Sequence, residues 1–140
     1  MRPIAIVATG PLVALLTGAD SWHNWTKRQF EAIAAPLLTC ESVITEAAFL
    51  LSRTAGGARS LLGLLDRGVI EVRFSLQAEL ESIDRLMRRY ASVPMSLADA
   101  CLVRMSELYS ASTVLTLDSD FSVYRRNGRQ VIPLSAPRIA

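Results

Sequence analysis

Several residue types that often direct a reading are scarce in this chain. Lys27 is its only lysine and His23 its only histidine. Its two cysteines, Cys40 and Cys101, lie far apart and form no CxxC pair. There is therefore no Cys/His cluster of the kind that holds zinc. Cysteines so placed in apolar surroundings are expected to be reduced core residues, which fits a cytoplasmic protein. No GxxxxGK loop is present to cradle a nucleotide phosphate. No Pro/Gly/Ser-rich linker, low-complexity tract or internal repeat divides the 140 residues, so a single domain over 1–140 is expected. Ile4 to Ala19 carries no charge and follows Arg2, which imitates a signal peptide. That run is short for a membrane span, and Gly10-Pro11 interrupts it. A buried first strand turning into a helix accounts for it better, and no membrane association is expected.

What is present is a large apolar fraction, 51%, enough to bury a core. The net charge of +2 is too small to argue for nucleic acid by itself. All cations but one are arginine, whose planar fork suits phosphate oxygens, although GC-rich codon usage gives the same bias.

Apolar patterning predicts strands at Ile4–Val7, Leu37–Thr39, Val69–Phe74, Thr113–Leu117 and Gln130–Leu134. Helices are expected between them. The first opens at Pro11 and covers Leu12–Leu16, followed by Ser21–Ile33, Glu41 to about Arg53, and Ala58–Asp66. The clearest is Leu76–Tyr90, with Leu76, Leu80, Ile83, Met87 and Tyr90 on one face and the i,i+4 pairs Glu81–Arg85 and Asp84–Arg88 on the other. The last runs from Ser96 to about Tyr109. Strands alternating with helices imply an α/β fold, a parallel central sheet of four to five strands with helices on both faces.

Ligands bind at the carboxyl ends of the strands in such a sheet. Position 8 follows the first strand, and Asp118 and Asp120 follow the strand at Thr113–Leu117. Asp99 falls in the first turn of the last helix, at the same edge. Glu46 lies in the first half of a helix leaving Leu37–Thr39. Four acids distant in sequence are thus expected together. Plainer roles exist for each: Asp99 as a capping-box partner of Ser96, and Asp118 and Asp120 as turn and N-cap residues before Phe121. Glu46 has the apolar neighbours Val43, Phe49 and Leu50, so a partner is expected for its carboxylate. Clustered carboxylates repel, and a hard divalent cation, Mg²⁺ or Mn²⁺, removes that cost. His23 is expected to be an exposed helix residue.

At these residues the sequence resembles the PIN domains, and most of all the VapC-type ribonuclease toxins of bacterial toxin–antitoxin pairs. The resemblance covers almost the whole chain. It rests on Ile6-Val7-Ala8-Thr9-Gly10-Pro11-Leu12, on Thr45-Glu46, on Ser96-Leu97-Ala98-Asp99-Ala100, and on Leu115-Thr116-Leu117-Asp118-Ser119-Asp120-Phe121. It implies a three-layer PIN-like sandwich and an Mg²⁺/Mn²⁺-dependent endoribonuclease. Asp99, Glu46 and Asp118 would be the metal-holding acids and Asp120 an auxiliary ligand or water-holder. Thr9 and Thr116 would be hydroxyls that orient carboxylates. Arg125, Arg126 and Arg129 would be candidates for holding RNA, unless they are simply a solvated loop. The implied partners are RNA, a cognate antitoxin and a second copy of the chain, with Trp22 and Trp25 as further antitoxin contacts if they are not core or edge residues.

One departure from the family pattern stands out. Where the family has its first acid, this chain has Ala8. An introduced Asp→Ala change and natural divergence both account for it, and the consistency of the remaining site favours the first. Either way metal affinity and turnover are expected to fall. The alternative function is a non-catalytic, degenerate PIN domain that binds RNA or an antitoxin. A receiver-type phosphoacceptor also uses acids at strand ends. It needs a lysine after a late strand, and Lys27 is elsewhere.

Overall fold

The structure, a computed structural model, describes residues 3–54 and 56–137. Arg2, which flanks the first apolar run, lies outside the described residues. The strands are β1 (Ile4–Val7), β2 (Leu37–Thr39), β3 (Ile70–Val72), β4 (Ser112–Leu115), β5 (Arg125–Arg126), β6 (Gln130–Val131) and β7 (Leu134–Ser135). The helices are α1 (Thr9–Leu16), α2 (His23–Ala32), α3 (Glu41–Leu50), α4 (Gly57–Asp66), α5 (Leu80–Arg89) and α6 (Leu97–Leu108). A 3-10 turn spans Ser119–Ser122.

Five strands form one parallel sheet in the order β3-β2-β1-β4-β7. β1 and β4 lie in register from Ile4↔Ser112 to Val7↔Leu115. Successive strands run outward from β1 on one side as β2 and β3, and on the other as β4 and β7. The crevice at the carboxyl ends of β1 and β4 is therefore the topological switch point, where open sheets bind ligands.

The sheet is apolar because both its faces are covered. Ile6, Val7, Leu37, Leu38, Val114 and Leu115 are all at most 2% exposed. α6 is buried around most of its circumference, including Ala98, Cys101, Leu102, Val103 and Met105, which marks a central helix. It is a rigid mount for the acid in its first turn. Cys40 and Cys101 are both free and buried, as expected. They are not isolated, however. Their thiols meet between α3 and α6, and the hydrogen bond with Cys101, together with burial, raises the Cys40 pKa and keeps it a thiol.

Four expectations need correction. The segment 130–134 is not one strand: β6 closes a small antiparallel hairpin with β5, and β7 joins the main sheet. Asn127 and Gly128 both have positive φ, 52° and 81°, which turns the hairpin. The helix expected from Leu76 starts only at Leu80, after a turn, and its apolar stripe is half used. Ile83, Leu86 and Tyr90 are buried, whereas Leu80 is 53% exposed. Its two ion pairs do form, at 3.9 Å for Glu81–Arg85 and 3.0 Å for Asp84–Arg88. Finally, His23 is half-buried, and its Nδ1 donates to the Ala14 carbonyl at 2.8 Å. Among the described residues no helix is long and apolar enough to cross a membrane.

Candidate active site

The crevice at the switch point is a pocket of about 260 Å³. Ala8, Glu46, Asp99 and Asp118 all line it, although they come from two helices, α3 and α6, and from the segments that follow β1 and β4. Asp120 does not. Its backbone N–H donates to Asp118 Oδ1 at 2.9 Å, which fixes it behind Asp118 in the 3-10 turn. Three of the four acids picked from the sequence are thus brought together around position 8, and the fourth supports one of them.

Each wall has a local cause. β1 ends at Val7, and the Ala8 N–H still donates to the Leu115 carbonyl at 3.0 Å, which holds position 8 in the sheet. Ala8 is the N-cap of α1 but has no side chain to cap it. In the next turn Gly10 lets α1 approach the loop after β4. A Cβ on Gly10 would lie 3.3 Å from Leu117 Cβ, a tight contact that would require Leu117 to shift by a few tenths of an ångström.

Glu46 is exposed, and so are its neighbours Phe49 (77%) and Leu50 (57%). Of its apolar neighbours only Val43 is buried, so the end of that face beyond Glu46 is surface. The carboxylate nonetheless has a partner, because Thr9 Oγ1 donates to Glu46 Oε1 at 2.9 Å. Thr9 thus contacts a carboxylate directly. Thr116 does something different: its hydroxyl, fully buried, accepts from the Asp118 backbone N–H at 3.0 Å and so shapes the loop rather than the carboxylate.

Asp99 fills its plainer role as well. Its Oδ2 accepts from the Ser96 N–H, and its own N–H donates to Ser96 Oγ, both at 3.0 Å, a complete capping box. The same Oδ2 lies 3.3 Å from the Tyr124 hydroxyl, which donates to the Pro94 carbonyl at 2.5 Å. Among the described residues Oδ1 accepts no hydrogen bond, so one oxygen fixes the carboxylate while the other is left over. Ser96→Ala is expected to cost ~1 kcal/mol of stability in a urea titration, the usual worth of an N-cap.

The aromatic support of Asp99 was not anticipated. Tyr124 is fully buried, with Tyr90 and Phe121 edge-on to it at centroid distances of 5.3 and 5.2 Å. The i,i+3 spacing of Phe121 and Tyr124, just beyond the acidic turn, was the available signal.

Burial, reinforced by the charge of Asp118, holds the Asp99 pKa above its usual value against the lowering effect of its hydrogen bonds. An acid whose folded pKa exceeds its unfolded one takes up protons on folding. Its stabilising contribution is complete below the ordinary carboxylate range and is lost as pH rises through the folded-state value. Asp99→Asn keeps an oxygen for the Ser96 N–H and removes the charge. It is expected to raise Tm by a few degrees at pH 7 and leave it unchanged at pH 3, measured by thermal melts.

The donors around the pocket are all oxygens, which suits a hard cation in kind. They fall short in number and closeness. Among the described residues no three Asp, Glu, His or Cys groups come near enough together to hold a metal ion. Ala8 occupies the wall between them with a methyl group.

Of the three arginines singled out, two are tied to backbone carbonyls. Arg125 Nη1 donates to the carbonyls of Ser122, Val123 and Tyr124. Arg126 Nη1 donates to Ser106 at the far end of α6 from Asp99. Arg129 is exposed.

No family model matches the chain. Ribonuclease VapC26 of Mycobacterium tuberculosis (strain ATCC 25618 / H37Rv) is 29% identical over 126 residues, which span 88% of this chain and 93% of that protein. Among solved structures, Mycobacterium tuberculosis VapC20, described as a Sarcin-Ricin loop cleaving toxin, matches with a TM-score of 0.73 at 23% identity, over 85% of this chain and 93% of that one. The parallel five-stranded sheet with its six helices is a PIN-like α/β sandwich. Within that class the chain is similar to VapC-type proteins.

Proposed function

We propose that this chain is an endoribonuclease of the VapC type whose phosphodiester-cleaving site uses Mg²⁺ or Mn²⁺ and is impaired by Ala8. The observation that carries the reading is the meeting of Glu46, Asp99 and Asp118, from α3, α6 and the loop after β4, around position 8 at the switch point. The likeness to a ribonuclease supports it.

In this reading Asp99 Oδ1, Glu46 and Asp118 are the cation-holding oxygens, and Asp120 steadies Asp118. A divalent cation held there would supply a Lewis acid for a water and for the phosphate oxygens. The residues present match that group in chemistry but lack one oxygen, so no step is assigned to it in this chain. What the chain's own residues supply is placement. Thr9 fixes Glu46, Ser96 fixes Asp99, and the amino end of α1 adds its positive dipole to the pocket. Arg129 remains the hairpin arginine free to meet RNA; Arg125 and Arg126 are tied to backbone carbonyls.

The partners this implies are an antitoxin and a second copy of the chain, in the cytoplasm. Phe49 and Leu50 on α3 and Leu62 on α4, all more than half exposed, support an apolar contact with such a partner. The second reading, a non-catalytic domain that only binds, is favoured by Ala8 and by the absence of a ligating triad among the described residues. RNA cleavage by the Ala8→Asp form, with and without Mn²⁺, separates the two.

A further inference from the structure

We infer that a second cleft, between α5, α6 and the hairpin turn, is a binding site for the RNA phosphate backbone, with Arg85 and Arg89 as its phosphate ligands. The inference rests on the ribonuclease reading for the identity of the nucleic acid. The cleft itself rests on geometry. It has a volume of about 260 Å³, and Ser82, Arg85 and Arg89 line it from one face of α5. Their spacing of three and four residues keeps them in a row on that face. Arg104 on α6 and Asn127-Gly128 of the turn close the other sides.

The walls are tied together. Arg104 joins Glu79 at 3.3 Å and Glu107 at 3.1 Å, and the second Glu107 oxygen accepts from the Asn127 N–H at 2.6 Å. Arg104 is thereby spent on two carboxylates and serves as structure. Arg85 and Arg89 are not. Among the described residues Arg85 is paired only with Glu81, at 3.9 Å and with both side chains largely in water, a pair worth little, while Glu107, the acid in the cleft lining, is held by Arg104 and the Asn127 N–H. Arg89 meets no carboxylate among the described residues. It donates to the Gly128 carbonyl and lies 5.4 Å from the centre of the Tyr90 ring. Both guanidinium groups therefore keep free donors toward a walled, polar cleft, and a phosphate is the ligand that matches their fork.

RNA is favoured over other polyanions by the ribonuclease reading and by the tie between this cleft and the acidic pocket. Tyr90 links Arg89 to Tyr124 by ring contact, and Tyr124 in turn reaches Asp99 at 3.3 Å. Tyr90 also accepts from the Arg125 N–H at 2.8 Å, which ties the hairpin to the same aromatic group. The cleft and the acidic pocket are thus joined through one buried aromatic group. Three carboxylates at that pocket repel a phosphate backbone, so a strand crossing them needs positive charge to hold it on one side. Arginines on α5 provide it.

The test uses the unsubstituted chain, whose Ala8 allows binding to be read apart from cutting. Affinity for a fluorescein-labelled single-stranded RNA is measured by anisotropy across a salt series. Arg85→Ala/Arg89→Ala is expected to weaken binding about tenfold and to flatten the slope of log K against log salt by roughly 0.7 for each phosphate no longer neutralised. Arg85→Glu, which leaves the hydrogen bond from Arg89 to Gly128 in place, guards against a folding defect and should weaken binding at least as much. Lys27→Ala/Arg28→Ala removes the same charge from α2 and should leave both quantities close to the parent's. Equal loss in the α2 pair, unchanged affinity in both cleft variants, or no RNA binding by the parent each overturns the assignment. So does unchanged RNA affinity with weakened binding of a polyglutamate peptide, which would give the cleft to an acidic protein tail. The ribonuclease reading is decided separately, by cleavage with Ala8→Asp.

Discussion

Ala8→Asp is expected to raise the rate of RNA cleavage in Mn²⁺ or Mg²⁺ by at least a hundredfold over the parent chain. The magnitude follows from what lesser changes do at metal sites: losing a residue that merely positions a ligand costs roughly 10–100-fold, so a missing ligand costs at least the upper figure. The geometry makes the substitution local. Position 8 is the N-cap of α1, where aspartate is among the preferred residues. The Gly10 N–H is the donor such a side chain would cap, because Pro11 has none to offer. Against that gain stands repulsion from Glu46, Asp99 and Asp118. The two effects predict a signature apart from activity. Without divalent metal, Ala8→Asp should be no more stable than the parent, and with Mn²⁺ its Tm should rise where the parent's does not. Adding Asp99→Asn to Ala8→Asp should return cleavage to the parent's level. Cleavage by the parent equal to that of Ala8→Asp would mean that position 8 does not matter to the chemistry.

The largest effect on stability is expected at Tyr124. Replacing a buried aromatic side chain by alanine costs about 3–5 kcal/mol, and each well-placed aromatic pair adds roughly 0.5–1.5 kcal/mol. Tyr124 is fully buried and makes two such pairs. Domains have only about 5–15 kcal/mol in all. Tyr124→Ala should therefore lower Tm by ~10–20 °C. Tyr124→Phe keeps the ring packing and removes the hydrogen bond to Pro94, worth about 1 kcal/mol. Calorimetry on the two variants separates packing from hydrogen bonding. Near-equal losses would show that the hydroxyl, and not the ring, holds this corner together.

Much of this was legible from the residues because parallel sheets impose strong patterns. Ile4–Val7 and Leu37–Thr39 are strands with the same bounds as their apolar runs. Topology then placed Glu46, Asp99 and Asp118 at one edge, and all three line the pocket there. Where the reading failed, short-range pattern was answering a long-range question. Phe49 and Leu50 look like core neighbours of Glu46 in sequence, yet both stand mostly exposed on the fold. Leu80 fits the helical stripe of α5 but finds no surface to pack on. Periodicity tells which residues share a face; it does not tell whether another element arrives to bury it. The hairpin is a different case. Asn127-Gly128 is among the strongest short turn signals, and its flanking strands are simply too short, at two residues each, to register as strands. Arg125 and Arg126, which look like RNA ligands in sequence, donate to backbone carbonyls of the preceding turn and of α6, and Arg85 looks like half of a surface ion pair until the hairpin turn is seen to close the cleft beside it.

Under the proposed function the switch-point pocket is a divalent-metal site that lacks a ligand at position 8. Mn²⁺ titration of the parent, Ala8→Asp and Ala8→Asp/Asp99→Asn, followed by electron paramagnetic resonance, tests it most directly. Binding at least a hundredfold tighter in Ala8→Asp than in the parent, and abolished again in the double variant, is the result expected. Equal affinity in all three, or none in Ala8→Asp, would contradict it.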